Sequence, residues 1–555
     1  MPANLRRFAW VALAIIVLAW FGSLHSRHLI RTDEGRYASI AREMATSRDY
    51  VTPTLNELKY FYKPPLQYWA TAISFNVLGE TPFAARLWSA LTAFLAVIAT
   101  WYTLKRLCTR EVALAGAAIH ASMLWVFGMA HINTLDSALA AFLHMALCAF
   151  LLAFQRQIPA AQKQHFLTFF SLFLALAVMS KGLVGALIPV CVIGFYILIT
   201  RDWSLITTFP WLRATLVFFA VTAPWFFLVA ARNPEFNEFF FINEHFRRFT
   251  SKVHRREGAW WYFLPLLVAG LMPWTGLALT ALSANARRIA NEAFASTQRV
   301  NTLLVTWCVF IFVFFSASGS KLPSYILPMF GALALLFAPV ALRISAKAFV
   351  AAIAPIALLG CALAVATLPP FVEKLSNFPE RLPMEMEMAL WLRGSALCFI
   401  LTVVAAWWWR APGERIKAIL AIASLSVIAI WAGLIGHNQL APAQSGQSLA
   451  ARFIEKEGVI SPQIPFYSVN SFDHTLPFYL RRSFIVVDWR DEFDLGLNSR
   501  PDRFVESESA FLIAWSTLQK GFAVMEHSVF EKLKAGEFAH RVVARDVRRT
   551  IVSRP

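Results

Sequence analysis

From Phe8 to about Leu434 the chain is a succession of apolar runs separated by short loops rich in Lys and Arg. Each run is close to the roughly 20 residues that carry a helix across a bilayer. With 58% hydrophobic residues and 15% charged ones, the chain has too little polar surface to fold as a water-soluble protein. Backbone amides in hydrocarbon must bond within their own segment, so the runs are expected to be helices. Cys108, Cys148, Cys191, Cys308, Cys361 and Cys398 all lie in or at the ends of apolar runs. None is placed for a disulfide framework or a zinc motif in a polar loop.

Threading the runs through a bilayer gives about thirteen spans. Met1–Arg7 and Phe8–Leu24 form a basic flank and an apolar core with no small-residue cleavage site, read as a retained first span with the N-terminus inside. Alternate loops, among them Lys105–Arg110, Arg201–Arg213 and Arg410–Lys417, then fall inside and are basic, as topology requires. A single helix from Phe166 to Ile199 would be about 50 Å long, against about 30 Å of hydrocarbon. It is read as two short passes with Lys181 at the outer surface, and 259–284 is read as one span. The membrane part therefore covers 1–440. Its first outer loop, 25–81, carries Tyr37, Ile40, Ala41 and Met44 at helical spacing, a face expected to lie flat in the interface. From about Ala441 the composition becomes that of a soluble domain, 441–555, on the outer side by parity. Helical patterns at 448–457 and 507–520 alternate with strand patterns at 464–469, 484–489 and 521–526, which is an α/β arrangement.

The net charge of +18 is largely topological and carries no sign of nucleic-acid recognition. The informative charges are those on the outer side. Asp33, Glu34 and Arg36 open the first outer loop, and Lys63 stands before Pro64-Pro65 on a stiff extended segment. Asp136, Lys181, Lys321 and Tyr325 each occupy a short outer turn, where an ionisable group is costly and marks a functional candidate. The outer loop with Glu244, His245, Arg247 and Arg248 is the most basic of all, against the positive-inside rule. Cations there suit an anion such as a phosphate. Carboxylates and cations meeting at the outer interface fit phosphate chemistry: cations stabilise a leaving phosphate, and a carboxylate acts as base or orients the nucleophile.

These residues also resemble a known family. Asp33-Glu34-Gly35-Arg36-Tyr37-Ala38, Lys63-Pro64-Pro65-Leu66-Gln67-Tyr68-Trp69, Thr134-Leu135-Asp136, Ser180-Lys181-Gly182, Glu244-His245-Phe246, Ser320-Lys321-Leu322-Pro323-Ser324-Tyr325 and Asn470-Ser471-Phe472-Asp473-His474 follow, in order, motifs of the lipid A aminoarabinose transferases. These are relatives of the protein O-mannosyltransferases. The resemblance implies a polytopic GT-C fold with a C-terminal periplasmic α/β domain. It implies inverting transfer of 4-amino-4-deoxy-L-arabinose or a related sugar from undecaprenyl phosphate to a lipid A phosphate or another envelope acceptor. The setting would be the periplasmic face of a bacterial inner membrane. It makes Asp33 the catalytic carboxylate. Lys63 holds the donor phosphate, with Arg36, Arg248, Tyr325 and Lys321 beside it. Asp136, Lys181, Glu34, Glu244 and His245 line the cavity, with Lys181 fixing Asp33 or an acceptor phosphate. Many members place a metal-binding Glu where this chain has Tyr62, so His245 is left without that partner and no cofactor is expected. A protein O-mannosyltransferase-like activity stays open, as does an anionic-lipid transporter, although a transporter places polar groups near the membrane midplane.

Overall fold

The computed structural model describes residues 2–155, 158–247, 258–294, 300–536 and 538–555. Ten described helices are long and apolar enough to cross a membrane. A shorter apolar helix, Val184–Thr200, accompanies them, with two bent pairs: Arg110–Ser122 with Leu124–Ala130 at 62°, and Phe263–Gly270 with Thr275–Ala281 at 108°. At the centre lies Leu135–Ala153, in which every residue but Asp136 is buried. Its alanines let neighbouring backbones approach closely.

The segment 259–284, read as one span, is bent: its two helices meet at 108°. Pro273 and the turn residues around it interrupt the helix, because proline offers no N–H to continue it. Lys181 and Tyr325 meet at one face, the ammonium 5.0 Å from the ring centre, so an even number of crossings separates them. With the shorter Val184–Thr200 counted beside Trp211–Arg232 and Val300–Ala317 as three crossings, one span over the bent pair supplies the fourth.

The first outer loop folds into a helix, Asp33–Ser47, a hairpin pairing Thr54–Leu55 with Leu58–Lys59, and a second helix, Leu66–Leu78. The hairpin turn is held by Glu43, whose carboxylate accepts from Thr54 Oγ1 at 2.6 Å and from the amides of Asn56 and Glu57 at 2.8 and 3.1 Å. The soluble domain is a six-stranded sheet in the order Phe504–Val505, Ile485–Val487, Phe466–Val469, Phe522–Glu526, Arg549–Ser553, Arg541–Arg545. The first four strands run parallel and the last two pairings are antiparallel.

This domain is clamped onto the outer loop. The Arg42 guanidinium donates to the carbonyls of Pro477 and Phe478 at 2.9 and 2.8 Å. The Asn56 amide pairs in both directions with the backbone of Phe484. A Cβ on Gly35 would stand 2.6 Å from the His474 carbonyl, so only glycine permits this approach. The helix face of Tyr37, Ile40, Ala41 and Met44 is buried among Leu476, Phe478, Tyr68 and Leu135. It was expected to lie on lipid; it packs against protein.

One polar cluster lies inside the bundle, away from the outer face. Thr100 Oγ1 stands 2.8 Å from His120 Nδ1 and 2.9 Å from His144 Nε2.

Candidate active site

The site grows from the first turn of the helix Asp33–Ser47, where the positive end of the helix dipole favours carboxylates. Successive helical residues point about 100° apart, so the adjacent acids separate. The Asp33 side chain is 49% exposed and that of Glu34 1%. Glu34 turns into the protein, not into the cavity where it was expected. Its oxygens take Arg86 Nε and Nη2 at 2.7 and 2.9 Å and Arg27 at 3.3 Å. They also accept the amides of Ile30 and Asn133, each at 3.0 Å. Burial would raise its pKa, but Arg27 and Arg86 hold it down to about 2.

Asp33 faces outward and Arg36, one turn on, donates to its Oδ1 at 3.0 Å. The same guanidinium reaches Glu492 of the soluble domain, Nε to Oε2 at 2.8 Å. Glu492 in turn is bound by His474 Nε2. Burial disfavours the Glu492 charge, but His474 and then Arg36 hold its carboxyl below the usual range.

The neighbouring pair is Asp136 with Lys181. Asp136 opens the helix Leu135–Ala153 and Lys181 closes Ala160–Lys181. Each charge thus sits at the helix end whose dipole favours it. Lys181 was expected to fix Asp33 or an acceptor phosphate; its ion-pair partner is Asp136, and its ammonium lies over Tyr325. The Tyr37 phenol is raised by burial and then by Asp33, with Asp136 contributing in the same direction. Both aspartates therefore act on one buried ring.

Lys63 meets Glu244 at 3.3 Å. Pro64 and Pro65 lead directly from it into Leu66–Leu78, which fixes where the ammonium stands. Lys321 serves differently from expectation. Its ammonium donates to the carbonyls of Ser316 and Ser318 at 3.0 and 2.6 Å, tying off the end of Val300–Ala317. Arg248 lies outside the described residues, as do the side chains of His245 and Arg247.

Residues 62–227 match the family described as dolichyl-phosphate-mannose-protein mannosyltransferase, and 451–554 match the aminoarabinose transferase C-terminal domain. An undecaprenyl phosphate-alpha-4-amino-4-deoxy-L-arabinose arabinosyl transferase of Erwinia tasmaniensis is 33% identical over 340 residues, 61% of this chain and 60% of its own length. A second, from Sodalis glossinidius, is 35% identical over 329 residues, 59% of this chain and 58% of that one. The aligned region thus spans only about 60% of the Erwinia relative. In three dimensions the likeness runs end to end. The crystal structure of ArnT from Cupriavidus metallidurans bound to undecaprenyl phosphate matches with a TM-score of 0.90 at 33% identity, covering 98% of this chain and 97% of that one. The chain belongs to the ArnT family. Its fold is the GT-C membrane architecture of that family with the C-terminal sheet domain attached.

Against the family background the metal question is one of donor chemistry. Tyr62 is a poor ligand: burial, then Glu244, pushes its phenol well above the ordinary tyrosine range. Glu244 is paired with Lys63, and among the described residues no three of His, Cys, Asp and Glu gather into a ligand set. Tyr62 thus does not supply the carboxylate ligand that the resemblance places at this position. Glu492 escaped the sequence reading. Its partner His474 lay inside the tail motif, but Glu492 itself stands 18 residues on, in a separate turn beyond the strand Ile485–Val487.

Proposed function

We propose that this ArnT-family chain transfers 4-amino-4-deoxy-L-arabinose, or a closely related sugar, from undecaprenyl phosphate to a lipid A phosphate at the outer face of the bacterial inner membrane. The observation that carries the reading is Asp33. It is a half-exposed carboxylate held by Arg36 beside the Asp136–Lys181 pair, on a fold followed over 98% of this chain by a protein solved with undecaprenyl phosphate bound. An acceptor oxygen attacks the anomeric carbon as the bond to the lipid-linked phosphate breaks, and the electron pair leaves on that phosphate. Lys63, with Tyr325 and Arg248, receives the phosphate, and cations there stabilise its growing charge. An ionised phosphate acceptor has no proton to lose, so Asp33 orients it and stabilises positive charge on the sugar. The match of 62–227 to a mannosyltransferase family favours, as second reading, a serine or threonine hydroxyl acceptor. Asp33 would then take its proton.

Mass spectrometry of lipid A and envelope glycans from cells with and without the protein tests this. The expected result is lipid A carrying an added amino-sugar only where the protein is present. Sugar on protein instead establishes the second reading, and unchanged lipid A and glycans refute both. With purified protein, transfer continues in excess EDTA, since no step needs a metal; loss of transfer restored by a divalent ion refutes that part.

The orientation has its own test. A phosphatase fused after Pro555 is expected to be active, because the soluble domain faces the periplasm. An inactive but expressed fusion places the site on the cytoplasmic side and overturns the assignment of both substrates.

A further inference from the structure

We infer that Glu492 is a positioning residue for the transfer, so that the soluble domain completes the site by holding Arg36 against Asp33. The inference rests on the reading of Asp33 as the carboxylate that meets the sugar. Arg36 and Asp33 lie one turn apart on a single helix, and the Asp33 side chain is 49% exposed. Such a pair alone is loosely held, because water competes for both charges and the long side chain has other rotamers. The guanidinium is a planar fork. Its Nε lies 2.8 Å from Glu492 Oε2 as an ion pair, and in that rotamer Nη1 donates to Asp33 Oδ1 at 3.0 Å.

Glu492 is built to grip. Its side chain is 11% exposed, His474 binds one oxygen, and the Tyr60 hydroxyl stands 3.5 Å from the oxygen that meets Arg36. The backbone beneath it is fixed on both flanks. Phe493 is 1% exposed, with its ring 4.7 Å from that of Phe472. A Cβ on Gly35 would stand 2.6 Å from the His474 carbonyl, and one on Gly496 would stand 2.6 Å from Leu58 Cβ. These two contacts seat the segment of His474 against the helix of Asp33, and the helix that follows Glu492 against the hairpin of Leu58.

The test uses the full-length protein, a lipid-linked amino-sugar donor and a lipid A acceptor. Glu492→Gln keeps the shape and removes the charge. It is expected to lower kcat by about 10–100-fold, the scale of misplacing a reacting group by about 1 Å. The donor KM stays within about twofold, because Glu492 touches Arg36 and not the donor. Arg36→Gln and the double variant complete the cycle, and the double variant is expected to be no slower than Arg36→Gln. Should Glu492→Gln be recovered unfolded, His474→Gln carries the test: it leaves the carboxylate and removes its imidazole anchor, and a several-fold loss of kcat at unchanged KM is expected. Wild-type kcat in the folded variant, or losses that multiply in the double variant, overturns the inference while the functional reading stands. Absence of transfer by the wild-type protein overturns the functional reading and the inference with it.

Discussion

Asp33→Asn abolishes measurable transfer and leaves the folded protein intact. The expected fall in kcat is about 10²–10⁴-fold, the range for losing a positioned acid–base group or a preorganised charge at a reacting centre. Stability is nearly untouched. Asp33 is half exposed and its i,i+3 ion pair with Arg36 is open to water on the carboxylate side, worth about 1 kcal/mol. The lost favourable contact with the helix N-terminus adds about 0.3–1 kcal/mol. Asn has the same shape, so Arg36 still finds an oxygen to which it can donate. The measurement is initial rate against donor concentration, with the thermal unfolding midpoint of the same preparation. Wild-type activity in the folded variant would remove Asp33 from the mechanism and take the functional reading with it.

Much of this architecture was legible in the chain, for reasons that also mark where legibility ended. Spans were readable because run length and apolarity are local and the bilayer sets a fixed ruler. The corner at Pro273 was not, because hydropathy is blind to angle: Phe263–Gly270 and Thr275–Ala281 read as one run although they meet at 108°. An amphipathic face announces an apolar partner without saying which one, so Tyr37, Ile40, Ala41 and Met44 were assigned to lipid and lie against protein. The strands Arg541–Arg545 and Arg549–Ser553 went unread because arginines punctuate them, and Arg549 is buried through its pairing with Asp473 and Asp546. Outer charges were recognisable as a set, since ionisable groups at the membrane boundary are rare. Their individual tasks were not. Lys321 caps a helix end and Lys181 pairs with Asp136, and neither partner follows from residue type. Glu492 lies in a different domain from Arg36, and no local pattern joins them.

The neighbouring acid should behave in the opposite way. Glu34→Gln is expected to lose about 3–5 kcal/mol of stability, the cost of breaking a buried ion pair by removing one partner. Gln keeps the volume but leaves Arg86, 1% exposed, and Arg27, 5% exposed, without the carboxylate that answers both. The same site predicts a pH dependence. The folded pKa of Glu34, about 2, lies below its ordinary value of 4.5. A depressed carboxylate stabilises the fold fully above the unfolded pKa, and that contribution is lost as pH falls through the folded one. The wild-type advantage over Glu34→Gln is therefore expected to be constant from pH 7 to about 5, then to shrink between about 4.5 and 2. A shift of that size corresponds to about 3 kcal/mol, within the range expected for breaking the pair. Unfolding midpoints of both proteins in detergent, taken across this range, make the comparison, and taking the difference cancels the other carboxylates. The folded fraction of Glu34→Gln should turn over near the wild-type rate, because Glu34 faces the protein interior while Asp33 faces the site. Equal stability of the two proteins at pH 7 would mean that the Arg27–Glu34–Arg86 cluster contributes nothing net. The first turn of this helix would then have to be held by the docked soluble domain alone.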